Sequence, residues 1–141
     1  MSEFFVTSPD FQEGGEIPKE FGYKFENKTT EINFNNLPKG TKCVALIMDD
    51  PDAMAAVGKV WGHWLYYTHQ QKASQIFGKT DFGETKYGGP APPDKRHTYV
   101  FKLYALDSEL DLPGKSTKAD VEKAMEGHII EQATLTGTYA P

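Results

Sequence analysis

A chain of 141 residues has the length of one domain, residues 1–141, and its formal net charge of −5 is wrong for a general nucleic-acid binder, because neutralising phosphates needs clustered Lys and Arg. Acid and base are mixed without long runs of one sign, which argues equally against adhesion to an anionic membrane surface. Cys43 is the only cysteine, so an intramolecular disulfide is excluded, and its apolar setting points to a buried, inert thiol. The N-terminus has no basic region ahead of an apolar stretch. No apolar run approaches the roughly 20 residues needed to cross a bilayer. The expectation is a cytoplasmic protein with no nucleic acid and no integral membrane association.

Residues 4–7 read as a short strand, broken by Ser8-Pro9-Asp10 and a Gly14-Gly15 turn. Ile17-Pro18 is extended. Residues 29–34 alternate polar and apolar, as a half-buried strand does, and Leu37-Pro38-Lys39-Gly40 is a turn. Residues 43–48 are almost continuously apolar, the pattern of a central strand covered on both faces. That strand runs directly into Asp49-Asp50-Pro51-Asp52. Residues 61–68 form the next strand, where strict alternation puts Trp61, His63, Leu65 and Tyr67 on one face and Trp64 and Tyr66 on the other.

Residues 70–89 have weak periodicity and contain the turn sequences Thr80-Asp81-Phe82-Gly83 and Tyr87-Gly88-Gly89-Pro90. They read as one long irregular loop, the kind that usually has a function or moves. Residues 98–106 have strong β-propensity, and Leu112-Pro113-Gly114 is a turn. A helix is expected over residues 118–131. Ser116 or Thr117 can cap it, Asp120 lies three residues beyond Thr117, and Val121, Ala124, Met125, His128 and Ile129 share one stripe. Residues 133–139 close the chain as a strand. Many short strands, one helix and no βα alternation predict a mainly β fold of two packed antiparallel sheets, a Greek-key-like sandwich with one helix in its C-terminal half.

The chemistry collects at strand ends. Pro51 lacks an N–H and fixes its own φ, and it pushes Asp50 into an extended conformation. Asp50 and Asp52 therefore flank a rigid turn, or simply form a hydrogen-bonded Asx-turn. His63 follows Trp61-Gly62 at the start of one strand. His97 and Tyr99 lie two apart on another and face the same way. The Tyr87–Pro90 sequence is either a plain turn or a loop whose glycines let backbone N–H groups approach an anion. The spacing fits no compact metal motif, no Gly-x-Ser-x-Gly and no phosphate-binding P-loop, so neither a metal nor a cofactor is expected. What remains is a pocket of His, Tyr and N–H donors beside carboxylates, suited to a ligand with an anionic group and an amine or hydroxyl nearby.

These residues resemble the phosphatidylethanolamine-binding proteins, which include the Raf kinase inhibitor proteins and the flowering regulators of plants. Asp50-Pro51-Asp52-Ala53 with Gly62-His63-Trp64 is similar to one sequence block of that family. Tyr87-Gly88-Gly89-Pro90-Ala91-Pro92-Pro93 with His97-Thr98-Tyr99-Val100-Phe101 is similar to a second. The similarity runs over nearly the whole chain and is nearest the short bacterial and archaeal branch. It departs at Met54, where the family usually has Pro, and at Ala91, where prokaryotic members commonly have Cys. The resemblance implies a sandwich with a small anion-binding pocket lined by Asp50, Asp52, His63, His97 and Tyr99. Trp61 would wall it, and Tyr87, Gly89 and Pro90 would shape its loop. It also implies non-enzymatic binding of a small anionic or phosphorylated ligand. Two alternatives stand beside that reading: a hydrolase with His63 or His97 as general base, and a kinase- or protease-inhibitor module acting through the loop at 70–89. A protein partner and a homodimer both stay open.

Overall fold

The computed structural model describes residues 3–69, 74–112 and 115–141. Its elements in chain order are β1 (Phe5–Thr7), β2 (Gly15–Glu16), β3 (Asn33–Asn35), β4 (Cys43–Asp50), α1 (Ala53–Val57), β5 (Trp61–His69), β6 (Ser74–Phe77), β7 (His97–Leu106), α2 (Lys118–Met125) and β8 (Ile129–Tyr139). Every residue of β4 is buried, which is why its sequence is apolar without alternation. It lies inside a six-stranded sheet of order β2-β8-β7-β4-β5-β6. β2 pairs parallel to β8 and the other neighbours are antiparallel. The two antiparallel sheets expected are thus a six-stranded mixed sheet and a two-stranded antiparallel one, β1-β3.

The two faces of β4 feed two cores. Val44, Leu46 and Met48 pack with Phe101, Leu103 and Leu135, beneath Val6 of β1 and Phe34 of β3. Cys43, Ala45 and Ile47 pack with Leu65, Tyr67 and Leu106, beneath Val121 and Met125 of α2. Fully burying each large side chain contributes about 1.5–3 kcal/mol, so both layers are anchored mainly through this strand.

Several expectations change. The helix ends at Met125, not at 131, because Gly127 takes a φ of 79° and turns the chain. Ile129, expected on the helix stripe, instead opens β8. The expected cap is present as a full capping box: Thr117 accepts from the Asp120 N–H, and Asp120 accepts from the Thr117 N–H. The strand expected over 29–34 is the three-residue β3. The long loop contains β6, paired to Tyr66–His69 of β5. Residues 70–73 of that loop and Pro113-Gly114 of the expected turn lie outside the described residues. α1, a single turn closed by Gly58 at a φ of 81°, is too short to leave a periodic signal.

One irregularity matters most. Met48 faces Trp64 across the β4–β5 ladder, but Asp49 faces Gly62. His63 is therefore an extra residue, a β-bulge. The bulge swaps faces, so Trp61 and His63 lie on the side of Trp64 and Tyr66, not with Leu65 and Tyr67 as strict alternation requires. His63 consequently meets Tyr99 edge-on, with ring centroids 5.1 Å apart. Among the described residues, no helix is long and apolar enough to cross a membrane.

Candidate functional site

Consecutive carboxylates at the end of β4 go opposite ways. Asp49 is buried on the α2 face with Lys102 at 2.8 Å and Lys118 at 3.0 Å. It ties the N-terminus of α2 to the sheet. Asp50 points to the other face, also buried, where the His63 bulge and the start of β7 converge.

His97 opens β7 and is fully buried, with both ring nitrogens occupied. Nδ1 lies 2.6 Å from Asp50 Oδ2, and Nε2 lies 2.6 Å from Asp94 Oδ1. Carboxylates only accept, so both nitrogens donate and the ring is an imidazolium. Burial alone would lower its pKa, but hydrogen bonds and charge from Asp50 and Asp94 override this and hold it above the ordinary histidine value. The positive charge thus neutralises Asp50 and is spent inside the protein.

His63 is arranged differently. Its Nδ1 lies 2.9 Å from the Gly88 carbonyl and 3.0 Å from the Gly89 carbonyl. Carbonyls also only accept, so Nδ1 carries the hydrogen and Nε2 is left with a lone pair. Burial lowers the His63 pKa, outweighing the two carbonyls and the Asp50 and Asp49 charges, so the ring is neutral at pH 7. The loop that holds it is itself held. The Gly88 N–H donates to the His63 carbonyl at 2.9 Å. Asn27 Oδ1 accepts the Gly89 N–H at 2.7 Å, and Asn27 Nδ2 donates to the Tyr87 carbonyl at 3.2 Å. A Cβ at Gly89 would collide with the Phe21 carbonyl, so this close approach requires glycine.

Between these groups lies a cavity of about 220 Å³, lined by Asp50, Ala53, Ala56, Val57, Trp61, His63, Phe82, Ala91 and Pro93. It has the size of a small head group, below the usual range for drug-sized ligands. Its lining is apolar apart from Asp50, His63 and Trp61, whose indole N–H is buried without a partner. Asp50 Oδ1 is buried and makes no hydrogen bond of ordinary geometry, the Tyr99 hydroxyl being the donor that interacts with this carboxylate; a better-placed donor from a ligand or water would satisfy it. His63 lines the same space, and among the described residues its hydrogen bonds are made through Nδ1, none through Nε2. A larger cavity, about 550 Å³, opens on the α2 face. Two of its lysines already pair with protein carboxylates, Lys59 with Asp81 and Lys118 with Asp49, whereas the smaller cavity brings the strand-end residues Asp50 and His63 together, so the smaller cavity is the better candidate.

Of the residues singled out from the sequence, Asp50, Trp61 and His63 line the smaller cavity. His97 stands behind Asp50. Tyr99 stands behind His63, its hydroxyl buried, short of a hydrogen bond of ordinary geometry and interacting with Asp50 and the Ala91 backbone. Burial, then the Asp50 charge, push the Tyr99 pKa well up, so it keeps its proton. Asp52 accepts the Thr98 N–H at 2.8 Å and latches the proline turn to β7. Tyr87 donates to the Phe21 carbonyl at 3.0 Å and packs edge-on to Trp64. Gly89 and Pro90 are loop supports, the latter accepting the Tyr23 N–H at 3.0 Å.

Sequence reasoning missed Phe82, which stacks on Tyr23 with centroids 4.1 Å apart and meets His63 and Trp61 edge-on. It also missed the α1 wall, Asn27 and Asp94. Ala91 and Pro93 stood inside a motif already singled out. Asp94, three residues before His97, was the one readable signal among the rest.

A mainly β scaffold with a small cavity at converging strand ends defines a ligand-binding domain. The family model for phosphatidylethanolamine-binding protein matches residues 7–140, and the chain belongs to that family. A UPF0098 protein of Methanothermobacter thermautotrophicus is 36% identical, over 92% of this chain and 93% of its own. One from Chlamydia pneumoniae is 37% identical, over 95% and 97%. The crystal structure of a putative phosphatidylethanolamine-binding protein homologue from Chlamydia trachomatis superposes with a TM-score of 0.89 at 33% identity, covering 99% of this chain and 98% of its own. E. coli YbcL, described as a new member of the mammalian phosphatidylethanolamine-binding protein family, superposes with a TM-score of 0.84 at 27% identity, covering 98% of each chain.

Proposed function

We propose that this protein is a non-enzymatic binder of a small ligand carrying a phosphoryl-like anionic group, held in the cavity between Asp50 and His63. The observation that carries this reading is the pair of acceptors short of an ordinary hydrogen bond, Asp50 Oδ1 and His63 Nε2, at one small cavity. A singly protonated phosphoryl group can donate its hydroxyl to Asp50 Oδ1. Its charged oxygens can accept from His63 once Nε2 takes up a proton. The His97 imidazolium already neutralises Asp50, so the anion does not face an uncompensated carboxylate. A phosphoethanolamine-type ligand adds an ammonium, a second donor for Asp50.

Among the described residues lining the cavity there is no serine, threonine or cysteine, so a hydrolase acting through a hydroxyl or thiol nucleophile has none there. This favours binding over the hydrolase alternative. Because the anion favours the imidazolium, binding takes up a proton and strengthens as pH falls through the His63 range, below the ordinary value of ~6.5. Calorimetric titration with inorganic phosphate and with phosphoethanolamine at several pH values, in buffers of different ionisation enthalpy, tests this. Affinity that is flat with pH, with no proton uptake, contradicts it.

A further inference from the structure

The small cavity is polar at its floor and apolar above it. Asp50, His63 and Ala53 line it and are buried, at 3%, 3% and 4% exposure, so they close its inner end. Ala56, Trp61, Phe82 and Ala91 are half-buried along its sides. Val57, 52% exposed, and Pro93 stand at its mouth. A phosphoryl group held by Asp50 and His63 occupies the floor and leaves the sides to the rest of the ligand. Among the described residues, no lysine, arginine or second carboxylate lines the cavity. Beyond the phosphoryl, a charged group would therefore meet no partner and would lose its water.

The two largest side surfaces are aromatic. Phe82 meets Trp61 edge-on with ring centroids 5.6 Å apart, and meets His63 edge-on at 5.2 Å. Tyr23 stacks flat on Phe82 at 4.1 Å. The loop that carries Phe82 is latched at Asp81, which accepts from the Lys59 ammonium and from the Gly62 N–H, each at 2.6 Å. The aromatic side is thus set before a ligand arrives, which lowers the cost of ordering it on binding.

Resting on the phosphoryl group proposed above, we infer that the ligand is a phosphomonoester of an aromatic alcohol, and that Phe82 is the residue that selects it. The phosphoryl enters first. The ring follows and lies beside Phe82 and Trp61, where aromatic pairs gain from edge-on or offset contact. The floor requires a monoester. Asp50 is a carboxylate paired with the His97 imidazolium, and it only accepts. A monoester that keeps one proton offers it a hydroxyl. A diester, the linkage of a phospholipid head group, has no such hydroxyl, and its anionic oxygens would face the carboxylate directly. The Trp61 indole N–H, buried without a partner, is a donor for one of the remaining phosphoryl oxygens.

Calorimetric titration of the full chain near pH 6, where a phosphomonoester is about half singly protonated, compares four probes. They are phenyl phosphate, inorganic phosphate, phosphoethanolamine and the diester methyl phenyl phosphate. Phenyl phosphate should bind about tenfold or more tighter than inorganic phosphate and phosphoethanolamine, since each buried methylene-sized group contributes about fourfold. Methyl phenyl phosphate keeps the ring and lacks the hydroxyl, and should bind about tenfold or more weakly than phenyl phosphate. Phe82→Ala should cut the ratio of phenyl phosphate to inorganic phosphate affinity by roughly fivefold or more. Val57→Ser, at the exposed mouth, should cut the same ratio about twofold. Phenyl phosphate no tighter than inorganic phosphate, or a diester as tight as the monoester, overturns the inference while phosphoryl binding stands. A ratio unmoved in Phe82→Ala removes Phe82 as the selecting residue. If neither inorganic phosphate nor phenyl phosphate binds, the phosphoryl reading falls and the aromatic monoester falls with it.

Discussion

His63 and His97 are two imidazoles at neighbouring strand ends, on one face of one sheet, beside the same carboxylate. His97 gives both ring nitrogens to carboxylates, and its pKa is raised. His63 gives one nitrogen to a pair of carbonyls, keeps the other free, and its pKa is lowered. What separates them is the chemistry of the acceptors and the number of nitrogens left over. Two carboxylates make a fixed charge that holds the fold. Two carbonyls on one side make a neutral ring whose free nitrogen can still change its state when a ligand arrives.

The largest effect that separates the two should come from His97→Ala. It strands Asp50 as a buried carboxylate without its cation, which costs about 3 kcal/mol or more. Denaturant melts should also show the pH signature of a raised histidine pKa. The loss relative to the parent is greatest below pH ~6.5, where both folded and unfolded imidazoles are charged, and shrinks as pH rises through the folded pKa. A loss that grows with pH would contradict the imidazolium assignment.

Next comes His63→Ala. It should weaken phosphate binding at least tenfold, about 1.4 kcal/mol, while costing less stability than His97→Ala. Calorimetry and melts on the same two variants would break the comparison if the losses came out reversed.

Smaller again is Asn27→Ala. It frees the Gly89 N–H and the Tyr87 carbonyl, for a cost of about 1 kcal/mol, and loosens the carbonyls that orient His63. The His63 ring signals should then broaden or shift in NMR while those of His97 stay in place. The smallest effect is expected from Asp94→Asn. Its carboxylate is partly exposed, so stability should hardly move, but the His97 pKa should fall in an NMR titration and that of His63 should not.

The parts of this site that could be read from the sequence are those set by local chemistry. Continuous apolar character marked β4 as central, Pro51 fixed the Asp50–Asp52 turn, and the period of two placed His97 and Tyr99 together. The rest depends on contacts that local pattern does not encode. The bulge at His63 inverts the face of Trp61 and His63, and a one-residue shift in register leaves no compositional trace. Asp49 resembled a loop acid because its cations, Lys102 and Lys118, arrive from β7 and α2. α1 has no period to detect. The helix stripe through His128 and Ile129 was real as a pattern, yet Gly127 broke it, and a positive-φ glycine overrides an apolar stripe.

The most direct measurement is the ¹⁵N NMR of both imidazoles as inorganic phosphate is added near pH 6.5. The division of roles predicts that the His63 ring changes from the Nδ1–H neutral form toward imidazolium, its pKa rising with phosphate, while His97 remains an imidazolium throughout. If phosphate moves the His97 signals and leaves those of His63 untouched, the assignment of binding to one histidine and structure to the other is wrong.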